Sequence, residues 1–253
     1  MTFPLLSVGL AGGLFSGLFG VGGGLLMVPL LMWWARMDQR RASATSLVAI
    51  VPTGIIGAIG YAIGGEIDVL AGLFIGAGAI VGAPLGTWLL RRLPIVWLRW
   101  LLIAGMLAAA AYLSFVEPDR GAELTITLVS GAGLVVLGLA MGILAGLFGI
   151  GGGIIAVPVL IALFGMGDLL AKGTSLLAII PAAVVGSVTN LRAGIVRVRD
   201  GLIVGLAAVA SSLVGVALAF VIPPAISGAL FGALLIAAAV QLIVRTLRNR
   251  REQ

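Results

Sequence analysis

The chain contains no cysteine and no histidine. The first absence removes disulfides and thiolate chemistry, and the second removes the commonest metal ligand and proton shuttle. Redox and metal enzymes are thereby disfavoured, and neither a cofactor nor a metal ion is expected. Charge is scarce too: 9% of the 253 residues are Asp, Glu, Lys or Arg, against roughly a quarter in a soluble domain. None of these falls in the middle of an apolar run, where proton relays and voltage sensors keep theirs. A carboxylate-based proton-coupled mechanism is disfavoured, and no acid and base pair within the membrane supports an enzyme.

What remains is apolar. Hydrophobic residues make up 61% of the chain and its mean hydropathy is +1.27, the composition of a polytopic membrane protein. The net charge of +6 does not indicate a nucleic-acid partner, because the cations sit in short loops between apolar segments, where they read as topology signals. The opening stretch MTFPLLSVGL has no basic region ahead of its apolar run, so it is expected to stay in the mature protein rather than be cleaved as a signal peptide.

Apolar stretches occupy 3–34, 43–63, 68–90, 97–115, 124–165, 172–190, 201–220 and 224–244. Six suit one tilted crossing of about 17 to 25 residues. The stretches 3–34 and 124–165 are too long for one, and each is interrupted by a glycine motif: GLFGVGGG at 17–24 and GLFGIGGG at 146–153. At a constant offset of 129, Val28 and Pro29 align on Val157 and Pro158, TSLVAIVP from Thr45 aligns on TSLLAIIP from Thr174, and Pro52 matches Pro181. The chain therefore reads as two homologous halves, 1–120 and 121–253.

Basic residues choose the topology. If each motif only kinks one crossing, seven cations face one side and eight the other, which is no positive-inside signal. If the chain reverses at each motif, only Arg120 and Lys172 face outward and 13 cations face the cytoplasm. The odd number of segments per half then makes the repeats inverted, with both termini inside. All five tryptophans (Trp33, Trp34, Trp88, Trp97, Trp100) flank the first-half arginine loops, as an interfacial belt would. The expected fold is an all-α polytopic membrane protein of two inverted repeats with 8–10 membrane segments in total. Each repeat pairs a glycine-hinged short or re-entrant helix unit with three transmembrane helices.

Residues 25–34 give a helix of only about 15 Å at 1.5 Å per residue, half of the ~30 Å hydrocarbon core. Irregular backbone at that depth must be buried in protein or line a cavity, so the glycine turns are expected to meet in the interior. Gly22, Gly23 and Gly24, like Gly151, Gly152 and Gly153, precede a short helix whose first N–H groups lack intrahelical partners and carry the positive end of the macrodipole. Two such helix starts brought together form a small anion site; close helix packing is the competing reading of the same glycines. Thr45, Ser46, Thr174 and Ser175 stand near helix ends, to cap them or to contact a ligand. Pro52 and Pro181 free the carbonyls of Val48 and Leu177, giving kinks that are either mobile or static. Tyr61 and Asn190 occupy equivalent positions and read as interfacial anchors or as ligand contacts.

The doubled GLFGVGGG…VP and GLFGIGGG…VP elements, each followed by TSL…P, resemble the sulfite exporter TauE/SafE family of membrane permeases, over essentially the whole chain. The resemblance implies transport of sulfur-containing anions such as sulfite, sulfonates or sulfoacetate across the bacterial inner membrane. Its motifs point to Gly20, Gly22, Gly23, Gly24, Gly149, Gly151, Gly152 and Gly153, with Pro29, Pro158 and the TSL hydroxyls nearby. The expectation is a secondary transporter, in the exporting direction, whose partners are a small anionic substrate and the lipid bilayer. An anion channel, an ion-coupled uptake permease for another small anion, and homo-oligomerisation stay open.

Overall fold

The computed structural model describes residues 2–89 and 127–251, together with 100, 103, 104, 106, 107, 110 and 111. Arg91, Arg92, Trp97, Arg99 and Arg120 lie outside the described residues, as does much of the 97–115 stretch. Among the described residues the fold is all helical. The nine helices are α1 (Thr2–Phe19), α2 (Gly24–Trp33), α3 (Gln39–Ile63), α4 (Val69–Leu89), α5 (Leu128–Phe148), α6 (Gly153–Ala162), α7 (Asp168–Arg192), α8 (Val198–Val221) and α9 (Pro224–Arg251). Seven are long and apolar enough to cross a bilayer, whereas α2 and α6 are 10 residues each. Leu73, Leu206, Val214 and Val221 on spanning helices are exposed, an apolar exterior that suits lipid.

Local chemistry sets the helix ends. The carboxylate of Asp38 accepts from Arg41 N at 3.0 Å and starts α3, and Thr127 with Ser130 forms a capping box on α5, each satisfying orphan N–H groups. The short helices begin differently, after Gly23 (φ 72°) and Gly152 (φ 77°) in left-handed conformation. An L side chain there costs about 1–2 kcal/mol. These turns reverse the chain rather than kink it. Met27 of α2 packs back on Gly12 of α1, and Leu5 and Val8 cluster with Met27, Val28, Leu31 and Ala35. Arg36 thus returns to the end where Pro4 lies, beside Arg41, which is paired with Asp200 at 2.7 Å.

A second glycine set is pure packing. Gly9, Gly13 and Gly17 on α1 abut the carbonyls of Val204, Ala208 and Ser212 on α8, in parallel. At the 129-residue offset the pattern recurs: Gly138, Gly142 and Gly146 on α5 abut the carbonyls of Ile75, Ala79 and Ala83 on α4. Small residues four apart let backbones approach this closely and admit Cα–H···O contacts. The equivalent helices α3 and α7 instead run antiparallel. A Cβ on Gly57 would stand 2.8 Å from Leu176 Cδ1, and its repeat mate Gly186 would stand 3.0 Å from Leu47 Cδ1.

Candidate functional site

The two glycine turns are in direct contact. A Cβ on Gly24 would lie 2.7 Å from the Ile150 carbonyl, and one on Gly153 would lie 2.9 Å from Val21 Cα. Gly20, Gly22, Gly23, Gly149, Gly151 and Gly152 all have positive φ, so the motif needs glycine for its backbone as well as for space. Against the turns stand Ile50 and Ile179, one from each TSL…P helix. Ile179 Cδ1 lies 2.7 Å from a Cβ position on Gly22 and 2.5 Å from one on Gly151, with Ile50 3.1 Å from the latter. In this conformation aliphatic side chains fill the space beside the turns.

The TSL hydroxyls divide into two kinds. Thr174 Oγ1 accepts from Asp68 N at 3.0 Å and ties the loop before α4, and Thr45 Oγ1 faces the Met37 sulfur at 3.8 Å. Ser46 and Ser175 are fully buried and have no hydrogen-bond partner. Each lies one turn before Ile50 or Ile179 on the same helix face. An unpartnered buried hydroxyl costs about 1–3 kcal/mol, and the two serines of this repeat-related pair each stand one helical turn from the isoleucine that packs on the glycine turns. Of the prolines, Pro52 Cγ is 2.8 Å from a Cβ position on Gly205, Pro181 Cγ is 3.2 Å from one on Gly76, Pro158 is buried, and Pro29 borders a cavity of about 50 Å³.

A larger cavity, of about 680 Å³, enters from the face that carries Arg40. Asp38, Gln39, Arg40, Ser43, Thr87, Thr189 and Asn190 give it polar walls. Its floor is the second glycine turn, where Gly149 packs on Ser43 and Ser43 Oγ donates to the Phe148 carbonyl at 2.9 Å.

The opposite face is closed at the equivalent positions. Asn190 and Gly146 both line the cavity, but their counterparts Tyr61 and Gly17 are joined by a hydrogen bond from Tyr61 Oη to the Gly17 carbonyl at 2.8 Å. Ala44 and Ile195 line the cavity, but Gly173 is pressed on the Glu66 carbonyl. Thr189 and Thr87 line the cavity, while a Cβ on Gly60 would be 3.5 Å from Val216 Cβ. Tyr61 is therefore no interfacial anchor: it is fully buried and tilted against Phe220 at 5.6 Å.

Sequence reasoning missed two features. Ile50 and Ile179, packed on the glycine turns, sit inside motifs that were already aligned. Lys172, placed in an outer loop by the topology reading, is in the second turn of α7 and buried, with Nζ 2.8 Å from Asp168 and 2.7 Å from Ser227 Oγ. Its i, i+4 spacing from Asp168 was the available signal.

Spanning helices interrupted by two half-length helices, with a polar cavity leading to the break, define a multi-pass membrane protein of transporter type. The model of the family described as sulfite exporter TauE/SafE matches residues 1–113 and 134–253, and the chain belongs to that family. It is 31% identical over 219 residues to "Probable membrane transporter protein YunE" of Bacillus subtilis, covering 77% of this chain and 80% of that protein. To YdhB of the same organism, also named a probable membrane transporter protein, it is 31% identical over 188 residues, covering 73% and 76%. No solved structure matches the chain. Family and relatives together make this a membrane transporter of the TauE/SafE type.

Proposed function

We propose that the protein is a secondary transporter that exports small sulfur-containing anions, such as sulfite or organosulfonates, by alternating access between inverted repeats 1–120 and 121–253. The observation that carries this reading is the asymmetry of the two faces: positions that line the 680 Å³ cavity on one face are packed shut at their repeat equivalents on the other. An alternating carrier interconverts two such states by exchanging the conformations of its halves. The antiparallel packing of α3 on α7 supports inversion, since equivalent helices of parallel repeats would run in the same direction.

The anion site belongs at the two glycine turns. Helix starts there offer N–H groups and dipole, and the unpartnered Ser46 and Ser175 hydroxyls supply donors that an oxyanion would satisfy. The Ile50 and Ile179 side chains must withdraw for the ion to pass, which favours a carrier over an open channel. The Arg40 face is cytoplasmic by its excess of arginine. An inside-negative potential then favours anion exit by about 2.3 kcal/mol per charge per 100 mV, with no carboxylate needed for coupling.

The test is sulfite and sulfonate flux in proteoliposomes under an imposed potential and, in turn, under H⁺ and Na⁺ gradients. Saturable, potential-driven movement is expected. Currents far above carrier rates would instead identify a channel, and absence of flux for every sulfur anion under every gradient would refute the substrate assignment.

A further inference from the structure

Lys172 is the only lysine in the chain, the other 14 cationic residues being arginines. It is also the one buried cation among the described residues. Its repeat equivalent is Ser43, and the two are packed alike: Gly149 on Ser43 Cβ, and Gly20 on Lys172, whose Cα is 2.6 Å from a Cβ position on that glycine. Ser43 lines the open cavity directly above the glycine turn. When the halves exchange conformations, Lys172 comes to line the opposite mouth, directly above the other turn.

We infer that Lys172 is the anion-recognising residue of that second mouth, selecting small oxyanions by charge. This rests on the alternating-access reading above. In the closed state the Lys172 ammonium is held by Asp168 on its own helix and by Ser227 Oγ on α9. The Asp168 contact travels with α7. The Ser227 contact joins two helices, and opening that face removes it, so an oxyanion oxygen takes the place of the hydroxyl. An ammonium suits this exchange better than a guanidinium, being a compact point charge on a flexible stem. Asp168 orients the ammonium and offsets part of its charge, which keeps the anion weakly enough bound to leave. Among the described residues, Arg40 lines the open cavity, and Lys172 serves the opposite mouth on a different scaffold.

The test uses the full-length protein in proteoliposomes of fixed orientation, with sulfite as the probe. A membrane-impermeant amine-reactive reagent is applied from either side, and the residue 172 peptide is followed by mass spectrometry. A Ser43→Lys, Lys172→Arg variant, whose sole lysine lines the open cavity, is the positive control. Lys172 is expected to react only from the face opposite Arg40, during flux, and more slowly as sulfite is raised. Lys172→Gln is expected to raise the sulfite KM from that face by roughly tenfold, one charge-assisted hydrogen bond, while KM from the Arg40 face stays within about twofold; Lys172→Arg retains most of the sided affinity. Asp168→Asn, Lys172→Gln, which removes both charges of the Asp168 pair, is expected to show the same sided loss if the single variant does not fold. Lys172 unreactive during saturating flux, or equal KM changes from both faces, would overturn the inference while leaving transport intact. Absence of wild-type flux would refute the transport reading, and the inference with it.

Discussion

Gly151→Ala separates the two reasons the motif needs glycine. The residue has φ 86°, and a Cβ there would lie 2.5 Å from Ile179 Cδ1 and 3.1 Å from Ile50 Cδ1. The left-handed backbone costs about 1–2 kcal/mol for an L side chain, and overpacking adds about 1–3 kcal/mol. The closest atom is the far end of a side chain, and Ile179→Val deletes it at a cost of about 0.5–1.5 kcal/mol alone. The double variant should therefore be less destabilised than the sum of the singles by about 1–2 kcal/mol, with the backbone cost remaining. Gly152→Ala is the contrast, because its Cβ meets the Met141 carbonyl, which no side-chain change removes. The assay is reversible unfolding in mixed micelles, read as a double-mutant cycle. Strict additivity of Gly151→Ala and Ile179→Val would refute the contact, and an unperturbed Gly151→Ala would refute the conformational argument.

Other perturbations follow from the same geometry. Lys172→Gln leaves the buried Asp168 carboxylate without its cation and should destabilise by about 3–5 kcal/mol; adding Asp168→Asn should restore much of that in the same unfolding assay. Ile50→Ala with Ile179→Ala removes the two side chains packed beside the turns, so uncoupled anion leak down its own gradient should rise in flux measurements. A single cysteine at Asn190 of this cysteine-free chain should react with a water-soluble thiol reagent, whereas one at Tyr61 should not until the closed face opens.

Much of the fold was legible because repeat and composition are local properties. The half-length helices after Gly23 and Gly152, and the return of the chain after the first glycine turn, are both present in the fold. Partners across the bundle were not legible. Gly9, Gly13 and Gly17 announce a close approach, but nothing in their spacing says that α8 provides the carbonyls. The same limit hid the division of labour within TSL, where Thr174 is taken by the Asp68 N–H while Ser175 stays unpartnered. The difference between faces is harder still to read: the two halves carry nearly the same motif, and which one is open is a property of conformation. Tyr61 and Asn190 illustrate this, equivalent in sequence and opposite in environment.

The most direct test of alternation locks the closed face. A Cβ on Gly60 would stand 3.5 Å from Val216 Cβ, within the roughly 3.5–4.5 Å span that a disulfide requires. Sulfite flux through Gly60→Cys, Val216→Cys is measured in proteoliposomes before oxidation, after it, and after reduction. The account predicts flux that stops on oxidation and returns on reduction, because that face must open in every cycle. Undiminished flux with the disulfide fully formed would contradict it.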